Sequence, residues 1–160
     1  MASGSELGRE ISAIIDQGKI VKSETTVTLL RNAMAGRCGP FLIDGFPRSI
    51  SNLEAFEEEM GAAAFMLFLD VSEGEMEARL LKRGLSSGRS DDNRETIIKR
   101  FRTFVDDSMP VVDCLRSREC LRVIDAGHEP DAVFASVCAA FDDQCLQAVE
   151  GAEAAPEKVA

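Results

Sequence analysis

Tryptophan and tyrosine are absent from the 160-residue sequence, and there is a single histidine. Any stacking against a flat ligand would therefore have to use phenylalanine or arginine. Cys-x-x-Cys spacing is also absent, which argues against a cysteine metal site and favours free thiols that act as small buried apolar groups. The five cysteines are Cys38, Cys114, Cys120, Cys138 and Cys145. Because no leading apolar segment looks like a signal peptide, the sequence predicts a cytoplasmic protein.

Long apolar runs and an excess of positive charge are missing as well. No stretch approaches the roughly 20 apolar residues that a membrane-spanning helix needs. The formal net charge is -10, which argues against nucleic acid or an anionic membrane as a general partner, although local arginine clusters can still bind small anions. The length predicts one domain with enough apolar content for a proper core.

The apolar pattern alternates between helices and short strands. Apolar runs predict strands at residues 41–44, 65–70 and 121–125. The run at 65–70 is almost wholly apolar, so we expect it to be buried on both faces of a parallel sheet. Pro110 is expected to break or kink a long helix. Glycine and capping patterns predict helix boundaries near Gln17, Ser23, Ser51, Ser72, Asn93 and Pro130. This alternation predicts an α/β domain with a mainly parallel sheet.

The first block with chemical content is Phe-Leu-Ile-Asp-Gly-Phe-Pro-Arg at residues 41–48. A buried strand that ends in Asp44 delivers a carboxylate to the sheet edge where ligands of parallel sheets collect. Asp44 is placed to hold Mg²⁺ through water, because Mg²⁺ keeps much of its hydration shell. Pro47 limits the turn, and Arg48 carries a guanidinium fork that matches phosphate oxygens. The alternative is an ordinary turn in which a strand-end Asp pairs with a neighbouring Arg.

The second block is Arg-Gly-Leu-Ser-Ser-Gly-Arg-Ser-Asp-Asp-Asn at residues 83–93. Four arginines bracket its Gly/Ser stretch, namely Arg83, Arg89, Arg94 and Arg100. Arg89 and Arg100 lie on either side of the acidic pair 91–92, a spacing that lets a loop and a helix start aim two cations at one point. Phosphoryl transfer needs such convergence, because charge spreads over the transferred group. The alternative is a polar surface loop before a helix with a solvated basic face.

In this order the two blocks closely resemble the nucleoside monophosphate kinase family, and within it the UMP-CMP kinases, from about Gly8 to Phe141. The resemblance implies a P-loop-kinase-like parallel sheet flanked by helices. Its core would be residues 1–146, with a monophosphate-binding segment at about 5–36, a short lid at about 84–93 and a disordered acidic tail at 147–160. It implies a monomer, without nucleic acid or membrane partners, that transfers the γ-phosphoryl group of ATP to UMP or CMP with Mg²⁺, in pyrimidine nucleotide metabolism.

The resemblance also implies roles for individual residues. Arg89 and Arg100 would stabilise the transferring phosphoryl group, with Asp44 as the magnesium carboxylate. Arg48 would bind the acceptor's phosphate. Asn52 matches the position where UMP-CMP kinases carry asparagine and adenylate kinases usually carry glutamine, which favours a pyrimidine.

Two further segments complete the implied site. The segment Lys19, Ile20 and Val21 resembles the one that holds the acceptor base and ribose, although Lys22 follows it where the family usually has proline. Without the resemblance this segment is a helix-ending glycine and a linker. The remaining residues would border ATP: Arg83, His128, Glu129 and Pro130. As the only histidine, His128 is equally well explained as a solvent-exposed residue.

One motif that the family requires does not occur in these 160 residues, namely the phosphate loop Gly-x-x-x-x-Gly-Lys-[Ser/Thr]. The resemblance therefore implies a chain without the family's first, central strand, with a vacancy between residues 41–44 and 65–70 and exposed strand edges there. We expect this chain alone to be inactive. Two alternatives stay open: an adenylate kinase that acts on AMP, and a non-catalytic protein that binds nucleotides or serves as an interaction module.

Overall fold

The computed structural model describes residues 6–87 and 93–153. These residues form two compact units, which are treated separately below. Among the described residues, the first unit comprises 6–66, 73–87 and 93–121, and the second comprises 67–72 and 122–153.

The order of elements alternates helices with two strands, which agrees with the expected α/β class. In chain order they are α1 (Glu6–Asp16), α2 (Ser23–Met34), α3 (Ile50–Met60), β1 (Met66–Asp70), α4 (Glu73–Ser87), α5 (Arg94–Thr103), a π-helix (Phe104–Ser108), α6 (Met109–Ser117), β2 (Leu121–Asp125) and α7 (Pro130–Glu153). The strands pair in parallel, with Met66 N–H donating to Cys120 O at 2.8 Å and Ala126 N–H donating to Asp70 O at 2.7 Å.

Local chemistry explains several helix ends, and the end of α1 and the start of α5 confirm the predictions. Gly18 has φ +71° and its N–H donates to Ile15 O at 2.8 Å, which ends α1. The Asn93 side chain accepts from Thr96 N–H and caps α5. Ser49, two residues before the predicted serine, caps α3 by accepting from the N–H of Asn52.

The core of the first unit lies where α3 meets α6. It is centred on Leu53, Val111 and Leu115. Five half-buried apolar side chains pack around this centre: Ile50, Met66, Cys114, Cys120 and Leu121. Burial of these side chains supplies the main driving force for folding of this unit. It also determines how the first turn of α3, which follows Arg48 in the chain, is placed.

The strand predicted at residues 41–44 does not form, and this prediction is wrong. No described residue makes a backbone hydrogen bond with this segment, and Leu42 is 84% exposed. A strand is held by its ladder, so an apolar run without a partner stays irregular. The expected burial of β1 on both faces is also wrong, since Leu69 is 51% exposed. In the described part of the chain the sheet has only two strands.

Two other boundaries differ from the predictions. Helix α4 continues through Gly84 to Ser87, so the first residues of the predicted lid are helical. A single glycine costs a helix only about 1 kcal/mol, which the flanking helix formers offset. Helix α7 extends through residues 147–153 of the predicted tail. Arg89 and the rest of the predicted lid at residues 88–92 lie outside the described residues.

The helix near Pro110 is not broken but contains a π-helical turn. Pro110 lies in the first turn of α6, directly after the π-helix. Since proline has no N–H, it cannot donate the usual i→i−4 bond. The N–H of Met109 donates instead to Phe104 O, five residues back, which is the π-helical pattern.

The second unit contains β1 from Leu67 onward, β2 from Arg122 onward, and α7. Ile124, Ala126 and Ala140 are buried, whereas Val123 and Phe134 are exposed. None of the helices in the described ranges is long and apolar enough to cross a membrane.

Candidate functional site

An open groove of about 970 Å³ lies in the first unit. One wall consists of residues 20–24, which connect α1 to α2 and begin α2. The other wall comes from the start of α3, including Ser49 and Asn52. Asp107 of the π-helix also lines it. The groove therefore brings together Ile20, Val21 and Asn52, which the sequence analysis assigned to one acceptor site from distant parts of the chain.

Asn52 joins the two walls. Its side-chain Nδ2 donates to Ser23 Oγ at 2.8 Å, and its Oδ1 accepts from Arg48 N–H at 3.2 Å. Ser23 Oγ donates in turn to Ser51 Oγ at 3.1 Å. Only 2% of Asn52 is exposed, so its amide is held rigidly by these partners. In this structure the Asn52 side chain links the two walls of the groove, and it exposes very little surface to a ligand.

The groove is acidic along its length. Its charged residues are Lys22, Glu24, Glu54, Glu58 and Asp107. Carboxylates accept hydrogen bonds but repel a second anion. We therefore expect a ligand to direct donor groups, rather than a phosphate, toward these side chains.

The turn that carries Arg48 begins at the irregular segment 41–44. Gly45 has φ +67°, and a Cβ there would lie 2.9 Å from Arg48 Nη2. Arg48 Nε donates to Gly45 O at 2.7 Å, which folds the guanidinium back across the turn. The Phe46–Pro47 peptide bond is cis. Asp44 is exposed at the start of this turn.

Helix α5 carries Arg100 and packs closely against the end of α1. A Cβ on Gly18 would lie 3.2 Å from Lys99 Cβ and 3.3 Å from Arg100 Cγ. Thr103 Oγ1 donates to Gly18 O at 3.0 Å. Lys99 also donates to Glu95 Oε1 at 2.6 Å, and this hydrogen bond lowers the pKa of the exposed Glu95 carboxyl below its usual value. Arg100 is thus held beside the segment that leads into the groove.

The residues assigned to ATP are exposed. Arg83 lies on α4, and Arg94 Nε contacts Glu77 Oε1 of α4 at 3.2 Å. In the second unit His128 Nε2 lies 3.2 Å from Asp125 Oδ2. Glu129 O accepts from the N–H groups of the first turn of α7, which begins at Pro130. Arg89 lies outside the described residues.

Several polar residues of the groove were not singled out by the sequence analysis. Ser49, Ser51 and Asp107 line the groove. Thr103 and Ser108 are not among the lining residues, but they donate hydrogen bonds to residues next to the two walls. Ser51 was predicted only as a capping residue, and Ser49, which caps α3 in the structure, was not predicted in any role. Nothing in the sequence pattern indicates a bond such as that from Ser108 Oγ to Arg48 O, at 2.8 Å across 60 positions.

Comparison with known proteins gives a family for this chain. The adenylate kinase family matches residues 1–120. UMP-CMP kinase 3 of Oryza sativa subsp. japonica is 48% identical over 141 residues, which cover 87% of this chain and 66% of the rice protein. Uridylate kinase of Schizosaccharomyces pombe is 46% identical over 136 residues, covering 82% of this chain and 71% of that protein.

An adenylate kinase is also among the relatives. Adenylate kinase isoenzyme 1 of Homo sapiens is 39% identical over 145 residues, which cover 89% of this chain and 75% of the human protein. The relatives thus include kinases named for adenylate and for pyrimidine nucleotides. The family match and these three relatives together show that the chain belongs to the adenylate kinase family of nucleoside monophosphate kinases.

Proposed function

We propose that this protein serves the phosphorylation of UMP and CMP, with ATP as the phosphoryl donor. The observation that carries the proposal is the groove in which the segment of Ile20 and Val21 faces Asn52. The higher identities to a UMP-CMP kinase and a uridylate kinase, at 48% and 46%, support a pyrimidine acceptor. The acidic lining supports a nucleobase in the groove, because carboxylates can accept a hydrogen bond from a base amino or imino group.

The proposed roles divide the acceptor between two regions. The base and ribose occupy the groove beside Lys19, Ile20 and Val21, and the phosphate lies outside the acidic groove near Arg48. Arg100, with Arg89, stabilises the phosphoryl group in transit, because an arginine fork matches its oxygens. Arg83 and the loop at residues 128–130 contact the donor nucleotide.

Mg²⁺ fits the residues present if it enters with ATP. The described residues contain no group of three His, Cys, Asp or Glu side chains that could hold a metal ion. A nucleotide-bound Mg²⁺ needs only one or two carboxylates besides phosphate oxygens and water. Asp44 is exposed and makes no hydrogen bond or ion pair with a described residue, so its carboxylate would hold the hydrated ion. There Mg²⁺ would neutralise charge on the phosphates.

Two alternatives remain in view. The human relative makes AMP the competing acceptor. The second alternative is a protein that binds nucleotides without catalysis, because these 160 residues contain no phosphate loop. The described cysteines are free thiols, which supports a cytoplasmic location as part of the proposal. We also propose that the protein acts as a monomer.

Binding of monophosphates to the 160-residue chain tests the acceptor directly, because the groove lies within it. Calorimetry with CMP, UMP and AMP should give the lower Kd for the pyrimidines, by about tenfold or more, because a site matched to one base edge leaves polar groups unpaired with another. Amide resonances of Ile20, Val21 and Asn52 should shift on titration. A Kd for AMP equal to or below that for CMP would assign the protein to adenylate phosphorylation.

The role of Arg48 in phosphate binding can be tested with matched controls. Cytidine lacks the phosphate, so CMP should bind more tightly than cytidine, and Arg48→Ala should remove most of that difference. Arg37→Ala, at another exposed arginine of the first unit, should leave it intact. Turnover is measured in a chimera that carries a family member's phosphate loop ahead of these residues, and the chain by itself should show negligible ADP formation. Turnover by the chain alone would contradict our assignment of the donor site.

A further inference from the structure

Two hydroxyl groups attach the groove walls to one continuous helical rod formed by α5, the π-helix and α6. Thr103 Oγ1 donates to Gly18 O at 3.0 Å, two residues before the wall that begins at Ile20. Ser108 Oγ donates to Arg48 O at 2.8 Å, one residue before the wall that begins at Ser49. Each bond spans a large sequence separation, 85 and 60 positions respectively. The walls are therefore held from the same helical rod.

The π-helix makes this arrangement possible. Residues five apart in an α-helix are separated by roughly 140° around the axis, because each residue turns about 100°. Thr103 and Ser108 would then face different directions. In a π-helix the bond runs from residue i to i+5, so residues five apart lie about one turn apart and face more similar directions than they would in an α-helix. The N–H of Met109 bonds to Phe104 O in this pattern. Both hydroxyls can therefore point toward the groove side.

Close packing shows that the first of these contacts is specific. Gly18 is buried, and a Cβ there would crowd Lys99 Cβ and the backbone N of Arg100, at 3.2 and 3.3 Å. Its carbonyl is satisfied by Thr103 in a region with little access to water. Asp107, between the two hydroxyl residues in sequence, lines the groove itself. The helical rod therefore contributes to the groove directly and also fixes both walls.

We propose that Thr103 and Ser108 are positioning residues of the acceptor groove, aligned by the π-helical turn between them. This inference rests on the proposed function, in which the groove receives a nucleoside monophosphate. Arg100 lies three residues before Thr103, so the same contact fixes Arg100 relative to the acceptor. Removal of either hydroxyl loosens one wall, and the acceptor then pays an additional ordering cost on binding.

The test compares Thr103→Val and Ser108→Ala with matched controls. Thr28→Val changes an exposed threonine of α2 whose side chain makes no hydrogen bond with the described residues. Ser117→Ala removes only a local bond within α6, to Cys114 O at 2.7 Å. Thr103→Ser keeps the hydroxyl and should behave as wild type.

Amide hydrogen exchange measures how stably the two walls are held, and it requires no ligand. Thr103→Val should speed exchange of the Gly18 and Lys19 amides by about fivefold, the equivalent of one lost hydrogen bond. Ser108→Ala should do the same at the amides of Arg48 and Asn52. The core amide of Cys120, which bonds to Leu115 O at 3.0 Å, should keep its wild-type rate in both variants. Equal acceleration at Cys120 would mean general destabilisation and would overturn the proposal.

Nucleotide binding provides the second measurement. Thr103→Val and Ser108→Ala should each raise the Kd for CMP by about fivefold and leave the Kd for ATP unchanged. The controls Thr28→Val and Ser117→Ala should keep wild-type values. Local exchange that is faster without any change in the Kd for CMP would refute a positioning role. If the wild-type chain binds no monophosphate, the proposed function fails. The exchange rates then still decide whether the two hydroxyls hold the walls, and wild-type rates in both variants would refute that.

Discussion

Replacement of Asn52 by alanine tests whether this amide holds the groove together. The substitution removes the bond from Nδ2 to Ser23 Oγ and the bond from Arg48 N–H to Oδ1, at 2.8 and 3.2 Å. Each such bond contributes about 1 kcal/mol net, and both are made by a side chain that is only 2% exposed. The loss is therefore about 2 kcal/mol, less the gain of at most ~0.7 kcal/mol from placing alanine in a helix.

Asn32→Ala separates these two contributions. Asn32 is exposed on α2 and its side chain makes no hydrogen bond with a described residue, so its replacement reports mainly the helix propensity of alanine. Urea denaturation of both variants gives the free energies of unfolding by linear extrapolation. We expect Asn52→Ala to be less stable than Asn32→Ala by about 2 kcal/mol. A difference below about 0.5 kcal/mol would show that the bonds across the groove contribute nothing measurable.

The resemblance also assigns Asn52 to base selection. A base-selecting role and a purely structural role predict different results when Asn52 is replaced by glutamine. Glutamine at position 52 has an extra methylene at a buried site, which costs typically 1–3 kcal/mol by overpacking. Overall weakening of nucleotide binding by Asn52→Gln is therefore uninformative. The ratio of the Kd for AMP to the Kd for CMP is the relevant measurement, because uniform loosening of the groove cancels in it. A ratio that falls supports base reading by Asn52, and an unchanged ratio supports a purely structural amide.

Two further predictions concern α5 and the segment it packs against. Gly18→Ala should lower the free energy of unfolding by about 2–3 kcal/mol, since it combines a left-handed backbone cost of about 1–2 kcal/mol with a crowded Cβ. Gly36→Ala, at the same φ of +71° but with no atom within 4 Å of the added Cβ, should show only the backbone cost, and equal losses in urea denaturation would contradict the packing argument. In the chimera with a phosphate loop, Arg100→Ala should lower kcat by roughly 10³, in line with other arginines of phosphoryl transfer. Arg102→Ala on the exposed face of the same helix should retain wild-type kcat, and similar kcat values for both would remove Arg100 from the reaction.

Local chemistry alone determined much of this protein's secondary structure. Glycine at the end of α1, asparagine at the start of α5 and proline at the start of α7 each act on groups within a few residues, so their effects were predictable. The motifs around Arg48 and Arg100 also indicated a phosphate-handling kinase, and the comparisons confirmed the family.

Predictions that depended on distant partners were the ones that failed. Apolar residues at 41–44 satisfy the pattern of a buried strand, but a strand exists only where another segment completes its ladder, and no described residue does so. Hydrophobic pattern carries no information about that partner. The same limit explains why the exposure of Leu69 in β1 was not anticipated.

The groove itself was decided by tertiary structure. The sequence placed Ile20, Val21 and Asn52 in one site only through resemblance, while packing of α2 against α3 brings Ser23 to Asn52 across 29 positions. The π-helical winding that lets Thr103 and Ser108 face the same side has no sequence signature beyond a nearby proline. A side chain's hydrogen-bond partner across tens of residues depends on how whole helices pack, and that information is not contained in any local window of the sequence.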